Sequence, residues 1–157
     1  MLRILGIDPG TGIVGFGCIE ADNRTLKLVD AGVIRTPAGE ADATRLSTIY
    51  EEVSRLITEY QPEWFSIEQL FFARNVTTAM TVSQSRGVLL LAASQANLKI
   101  AEYTPLQIKM ALTGYGRADK KQMQEMVRIL LNLQQIPKPD DAADALAAAI
   151  THAQFVT

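Results

Sequence analysis

Residues 2–12 read LRILGIDPGTG, a short apolar run that ends on a carboxylate and then turns. The apolar side chains around Gly6 predict a strand buried on both faces, because the run is too short for a helix and Pro9 and Gly10 end it. Asp8 closes this strand. Removing a carboxylate from water is costly unless a cation or hydrogen-bond donors lie against it. The stretch therefore predicts a metal or phosphate site at Asp8.

Length and composition predict one ordinary domain. The 157 residues are enough to bury a substantial core, and we expect a single domain over residues 1–157. Hydrophobic residues make up 48% and charged residues 20%, which is typical of a soluble protein. No apolar run approaches the roughly 20 residues that span a bilayer, so we expect no membrane association and a cytoplasmic location. Cys18 is the only cysteine, which excludes an internal disulfide and predicts a small buried side chain.

Charge is unevenly distributed along the chain. The net charge of -2, taken alone, argues against a nucleic-acid-binding protein. Residues 69–138, however, hold nine basic and three acidic side chains between two acidic segments. Such a segment fits either a phosphate-facing surface beside metal-binding acids or a solvated face.

The remaining pattern predicts an α/β protein with a five-stranded mixed sheet flanked by helices. Three early strands joined by short turns favour an antiparallel meander. After the first, further strands are expected over residues 14–20, 25–34, 64–68 and 98–103. Helices are expected over residues 42–60, from about 75 to 95, after Thr104, after Asp119, and over 140–155.

Several residues predict where these helices begin. Asp42 or Thr44 is the expected cap of the first helix. The run TPLQ at residues 104–107 is a capping box with proline at the first helical position. Asp119 is expected to cap a helix whose first turn holds Lys120 and Lys121. Cations oppose the helix dipole there, so this helix start favours a phosphate ligand.

Small residues follow one stripe of the long helix that ends near residue 95. The stripe consists of Ala79, Ser83, Gly87 and Ser94. It allows another helix to approach closely, which fits either ordinary core packing or a dimer interface.

Acidic residues recur where predicted elements begin or end. Glu68 closes the strand over 64–68, as Asp8 closes the first strand. Asp141 and Asp144 are three residues apart and share one face of the last helix. Asp140 and Asp144 also share a face, so spacing alone leaves open which of Asp140 and Asp141 belongs to the group.

Oxygen ligands without a cysteine cluster suit magnesium and not zinc. Two such ions can activate a water molecule and stabilise the leaving oxygen in phosphodiester hydrolysis. The acids therefore predict a magnesium-dependent phosphodiesterase site.

The chain resembles the RuvC family of bacterial Holliday junction resolvases over essentially its whole length. The matching motifs are GIDPG at 6–10, IEQ at 67–69, SRG at 85–87, DAADAL at 141–146 and ITH at 150–152. The resemblance implies an RNase H-like fold, a homodimer, and magnesium-dependent paired nicks in four-way DNA junctions during recombination and repair. It implies 5′-phosphate and 3′-hydroxyl ends, with two Mg²⁺ ions per site and Mn²⁺ as a substitute. The catalytic and metal-binding residues that it implies are Asp8, Glu68, Asp141 and Asp144.

The resemblance also implies DNA contacts and protein partners. Phe71 matches the aromatic residue that meets bases at the junction, and Lys109 and Lys120 match basic residues near the scissile strand. The DNA-binding residues that we expect are Phe71, Phe72, Arg74, Lys109, Arg117, Lys120 and Lys121. The branch-migration proteins RuvA and RuvB are the implied partners.

Three other functions remain open at this point. The run DPGTG at residues 8–12 is similar to the phosphate loop of actin-like ATPases, although those need two such domains. A nuclease acting on RNA or an RNA–DNA hybrid would use the same acids, and a junction-binding scaffold would keep the fold without cleavage. His152 fits either a site residue or an ordinary core or surface histidine.

Overall fold

The computed structural model describes residues 1–69 and 76–157. The strands are β1 (Leu2–Asp8), β2 (Ile13–Asp22), β3 (Thr25–Arg35), β4 (Trp64–Glu68) and β5 (Lys99–Tyr103). The helices are α1 (Asp42–Tyr60), α2 (Val76–Gln95), α3 (Pro105–Thr113), α4 (Lys120–Leu130) and α5 (Asp140–Val156). The predicted bounds of α1 and β4 agree with the structure, and the other elements agree to within about two residues at their described ends.

The five strands form one mixed sheet in the order β3-β2-β1-β4-β5. The first three strands form the expected antiparallel meander. β4 and β5 then add in parallel to β1. Because β1 and β4 are neighbours and run in the same direction, their carboxyl ends meet at one edge of the sheet.

Helices cover both faces of the sheet and enclose two apolar clusters. One cluster packs α1 and α2 against the sheet, and the other packs α3, α4 and α5 against the opposite face. Cys18 is fully buried in the first cluster, as expected. Within residues 1–69 and 76–157, no helix has both the length and the apolar character needed to cross a membrane.

α5 lies directly on the sheet because glycine and alanine leave room for it. A Cβ atom added to Gly6 would lie 2.0 Å from the carbonyl oxygen of Ala145. The Ser66 hydroxyl, on β4, donates a hydrogen bond of 2.7 Å to the carbonyl of Ala148. These contacts fix both the height of α5 above the sheet and its position along β4.

The helix caps agree with the sequence at two of three places. Thr104 and Asp119 both form capping boxes, with Gln107 and Gln122 respectively. The predicted cap of α1 is wrong: the capping position is Ala41, and it makes no side-chain hydrogen bond. Asp42 instead lies in the first turn, where its charge interacts favourably with the helix dipole.

The small-residue stripe of α2 faces outward. Ser83, Gly87 and Ser94 are exposed, whereas the buried side of the helix carries Ser85 and Leu89. A Cβ atom on Gly87 would meet no described atom within 4 Å. Core packing is therefore the wrong explanation for these three residues.

Candidate active site

Asp8 and Glu68 lie side by side at the carboxyl edge of the sheet. Ile7 pairs with Ile67 in the parallel ladder between β1 and β4, so the next residue of each strand is one of these acids. Both side chains are half-buried. The strand pairing alone therefore brings together two of the four predicted carboxylates.

The start of α5 supplies the other two acids. Asp8 pairs across the ladder with Gly15, and a Cβ atom on Gly15 would lie 2.0 Å from the carbonyl oxygen of Asp141. The first turn of α5 therefore packs directly against Gly15, the residue that pairs with Asp8. The carboxylates of Asp144 and Asp141 lie near enough to act electrostatically on Asp8.

The structure distinguishes Asp140 from Asp141. The carboxylate of Asp140 points to α4, where it pairs with Lys120 at 3.3 Å and accepts a hydrogen bond from Gln124 at 3.1 Å. Asp141 faces Asp8 instead. Of the two adjacent acids, it is therefore Asp141 that completes the group of four.

Burial and neighbouring charges raise the proton affinity of Asp8, Glu68 and Asp144. Burial, followed by the charges of Asp144, Glu68 and Asp141, raises the pKa of Asp8 to about 8. Burial and the Asp144 charge raise the pKa of Glu68, and the nearby Lys109 partly opposes this rise. Burial also raises the pKa of Asp144, against the influence of Lys120.

The donor set fits a hard divalent cation. All four side chains offer carboxylate oxygens, which Mg²⁺ and Mn²⁺ prefer. Within residues 1–69 and 76–157, no three acidic, histidine or cysteine side chains lie close enough together, as they stand, to hold a metal ion. Like charges repel each other when no counter-ion lies between them, and this repulsion favours a wider spacing of the carboxylates. Burial and the neighbouring carboxylates raise the pKa of Asp8, and a divalent cation held among these oxygens would lower it again.

A cleft beside the acids also holds two of the predicted cations. It has a volume of about 290 Å³, and its charged lining residues include Glu68, Asp144, Lys109 and Lys120. The ammonium of Lys120 lies 3.9 Å from the Asp144 carboxylate, and the charges of Asp144 and Asp140 raise the pKa of Lys120. The cleft therefore combines metal-ligating oxygens with cations that can face a phosphate.

Two other predicted DNA-binding residues, Arg117 and Lys121, do not line this cleft. Arg117 is exposed in the loop before α4. Lys121 lines a separate, mainly apolar hollow of about 560 Å³ with Tyr115. Phe71, Phe72 and Arg74 lie outside the described residues.

His152 belongs to an aromatic cluster away from the carboxylates. It is 3% exposed, its Nδ1 atom shares a 2.7 Å hydrogen bond with the Tyr103 hydroxyl, and its ring lies 4.1 Å from that of Trp64. Burial lowers its pKa. His152 lies eight residues beyond Asp144 on α5, about 12 Å along the helix, and packs on Trp64 at the start of β4. The structure therefore places His152 in the core, where its buried Nε2 atom has no hydrogen-bond partner among the described residues.

Two residues beside the acids had no role assigned from the sequence. Ser85 and Arg86, on α2, contact the backbone next to Asp8 and at Glu68. The only sequence signal was their presence in the SRG motif, which says nothing about what they contact.

The family model and the curated relatives that match this chain all name the same family. Residues 4–152 match the family model of the crossover junction endodeoxyribonuclease RuvC. The RuvC protein of Desulfitobacterium hafniense is 58% identical over 155 residues, covering 99% of this chain and 94% of the relative. That of Brevibacillus brevis is 54% identical over 154 residues, covering 98% and 93%.

A solved structure agrees with this assignment. Thermus thermophilus RuvC in complex with a Holliday junction substrate superposes with a TM-score of 0.94 at 34% identity, covering 99% of this chain and 95% of that one. The match confirms the predicted RNase H-like α/β fold. The chain belongs to the RuvC family of crossover junction endodeoxyribonucleases.

Proposed function

We propose that this protein resolves four-way DNA junctions by paired, symmetric nicks, in recombination and DNA repair. The observation that carries the proposal is the meeting of Asp8, Glu68, Asp141 and Asp144 at one edge of the sheet. The proposal is supported by the family and by the similarity to a RuvC structure that contains a Holliday junction substrate.

In this proposal the four carboxylates hold two Mg²⁺ ions, for which Mn²⁺ can substitute. When bound, such ions activate a water molecule for in-line attack and stabilise charge on the leaving oxygen. By holding these ions, the carboxylates would place the scissile phosphate against this end of the sheet. Lys109 and Lys120 face the same cleft, where they balance negative charge from the acids and the phosphate. The expected products carry 5′-phosphate and 3′-hydroxyl ends.

A two-fold dimer accounts for the symmetry of the nicks. The outward face of α2 presents Met80, Ser83, Gly87 and Leu91, of which Met80 is 61% and Leu91 51% exposed. Small residues between exposed apolar ones allow two helices to pack closely. We propose this face as the dimer contact. An isologous contact gives the two active sites opposite strands of like polarity.

Further contacts belong to the same proposal. Phe71, with Phe72, stacks on unpaired bases at the crossover, a contact worth about 1 to 3 kcal/mol per base. Arg74, Arg117 and Lys121 hold phosphates of the junction arms. Residues 1–157 act as one nuclease domain, working in the cytoplasm on the chromosome, with RuvA and RuvB as partners.

The test is cleavage of three end-labelled substrates, a four-way junction, a linear duplex and an RNA–DNA hybrid, each with Mg²⁺ and with Ca²⁺. The proposal predicts symmetric nicks in the junction, with magnesium and not with calcium. Cleavage of the hybrid would instead make the protein an RNA-directed nuclease. Tight junction binding without cleavage would make it a scaffold.

A further inference from the structure

Two adjacent residues of α2 reach the ends of both strands that carry the catalytic acids. The Ser85 hydroxyl is fully buried and donates a hydrogen bond of 2.5 Å to the carbonyl of Gly10, two residues after Asp8. The next residue, Arg86, points its guanidinium at the carboxyl end of β4. One short segment of α2 therefore contacts the backbone beside Asp8 and at Glu68.

Arg86 joins β4 to β5 at this edge. Its Nε atom donates to the backbone carbonyl of Glu68 at 3.5 Å, and its Nη2 atom lies 2.9 Å from a carboxylate oxygen of Glu102. Glu102 pairs with Ile67, the residue before Glu68, in the β4–β5 ladder. The Arg86 side chain is only 18% exposed, so water screens these contacts less than it screens a surface ion pair.

The contacts of Ser85 and Arg86 lie just beyond the point where the ladder between β1 and β4 ends. The last pair in the β1–β4 ladder is Ile7 with Ile67, so Asp8 and Glu68 extend just beyond it. Their carboxylates repel each other in the absence of a cation. Something other than the ladder has to fix the distance between the two strand ends.

We propose that Arg86, supported by Ser85, is a positioning residue that sets the spacing of Asp8 and Glu68 for the divalent cations. Arg86 does so by holding the Glu68 carbonyl against Glu102, and Ser85 does so by holding the turn after Asp8 to the same helix. The inference rests on the proposed function, because it assigns these residues a part in the same metal-dependent cleavage.

The turn after Asp8 has other supports, and so does the end of β4, where Glu68 pairs with Tyr103 and the Gln69 amide donates to the Tyr103 carbonyl at 2.7 Å. The Thr36 hydroxyl donates to the carbonyl of Thr11 at 2.6 Å, and the Thr36 amide donates to that of Gly12 at 3.0 Å. Loss of Ser85 leaves these bonds in place. Loss of Arg86 removes both its contact with the Glu68 carbonyl and its ion pair with Glu102.

The experiment compares Arg86→Ala, Arg86→Lys and a matched control, Arg3→Ala. Arg3 makes the same kinds of contact at the opposite end of β1, pairing with Glu20 at 2.6 Å and donating to the carbonyl of Tyr60 at 2.6 Å. The measurements are junction cleavage under single-turnover conditions as a function of Mg²⁺, junction affinity in Ca²⁺, and the Mg²⁺-induced rise in Tm without DNA.

For Arg86→Ala we expect about a 10-fold to 100-fold loss in apparent magnesium affinity or in maximal rate, the range seen when residues that orient metal ligands are removed. Junction affinity in Ca²⁺ stays at the wild-type value, and the magnesium-induced rise in Tm shrinks. Arg86→Lys should recover part of the lost magnesium affinity or rate, because lysine restores the positive charge but lacks the planar guanidinium group. Arg3→Ala lowers Tm but keeps the wild-type magnesium dependence.

Two results overturn the inference: an Arg86→Ala protein in which both the maximal rate and the magnesium dependence match the wild type, or an Arg3→Ala protein with the same defect as Arg86→Ala. Failure of the proposed function looks different. In that case the wild-type protein does not cut the junction, while the DNA-free Tm comparison still separates Arg86→Ala from Arg3→Ala. A wild-type protein without any magnesium-dependent change in Tm overturns both.

Discussion

Replacing Asp8 with asparagine should stabilise the protein when no metal is bound. Burial and three neighbouring carboxylates raise the pKa of Asp8 from 3.8 to about 8. The folded protein therefore binds this proton more tightly than the unfolded chain does, and the free energy of unfolding falls as pH rises from about 4 through 8. Asp8→Asn keeps the shape of the side chain and removes the charge, so the variant escapes this loss.

The structure sets the size of the effect. Each pKa unit corresponds to about 1.4 kcal/mol, which gives an upper limit of about 6 kcal/mol at pH 8. Asp8 is only half-buried, so solvent screening and side-chain relaxation reduce this limit. We expect a gain of about 1 to 3 kcal/mol, which raises Tm by about 3 to 9 °C for a chain of this size.

The assay is thermal unfolding in EDTA at pH 5 and pH 8, with Glu40→Gln as control. Glu40 is exposed and lies outside the carboxylate cluster. At pH 8 Asp8→Asn should unfold at a higher temperature than the wild type, and at pH 5 the difference should shrink. With saturating Mg²⁺ the wild type should instead have the higher Tm. An ion that binds the folded state stabilises it, and Asp8→Asn has lost one of the oxygens that would bind the ion.

The reasoning is refuted if metal-free Asp8→Asn is less stable than the wild type at pH 8. It is also refuted if the difference does not depend on pH and matches that of Glu40→Gln. Either result would mean that the folded protein does not raise the proton affinity of Asp8.

Three further outcomes follow from the same geometry. Gly15→Ala brings a Cβ atom to 2.0 Å from the Asp141 carbonyl, so it should cost at least about 1 to 3 kcal/mol in chemical denaturation and reduce cleavage more than junction binding; wild-type cleavage would contradict it. Ser66→Ala removes one buried hydrogen bond to α5 and should cost about 1 kcal/mol in the same assay while cleavage persists, whereas an unchanged stability would count against that bond. Lys109→Met removes the cation that lowers the pKa of Glu68, so the acid limb of the pH–rate profile at sub-saturating Mg²⁺ should move to higher pH. An acid limb at the wild-type pH would show that Lys109 does not act on Glu68.

Much of the fold follows from local sequence signals. Gln61 ends α1 in the left-handed conformation, immediately before the proline that stops the helix. The capping boxes at Thr104 and Asp119 form because the side chain and the amide that bond lie within four residues of each other. The cap of α1 failed as a prediction because acidic residues stabilise both the capping position and the first turn, and sequence alone does not separate the two.

The site depended on tertiary packing that spacing does not encode. Strand ends predicted Asp8 and Glu68, but the rotation of α5 decides between Asp140 and Asp141. That rotation is set by the contact of the helix with Gly15, a residue more than 120 positions earlier in the chain. The bonds that Ser85 and Arg86 make to backbone carbonyls have no sequence pattern, because every residue has a carbonyl.

The most direct test of the account is the cleavage rate of a labelled four-way junction with Mg²⁺ by Asp141→Asn and Asp140→Asn. The two positions are adjacent, and the substitutions remove the same charge. If the carboxylate cluster is the active site, Asp141→Asn should bind the junction and fail to cut it, while Asp140→Asn cuts at a rate close to the wild type. Undiminished cleavage by Asp141→Asn, or loss of cleavage only in Asp140→Asn, would contradict the account.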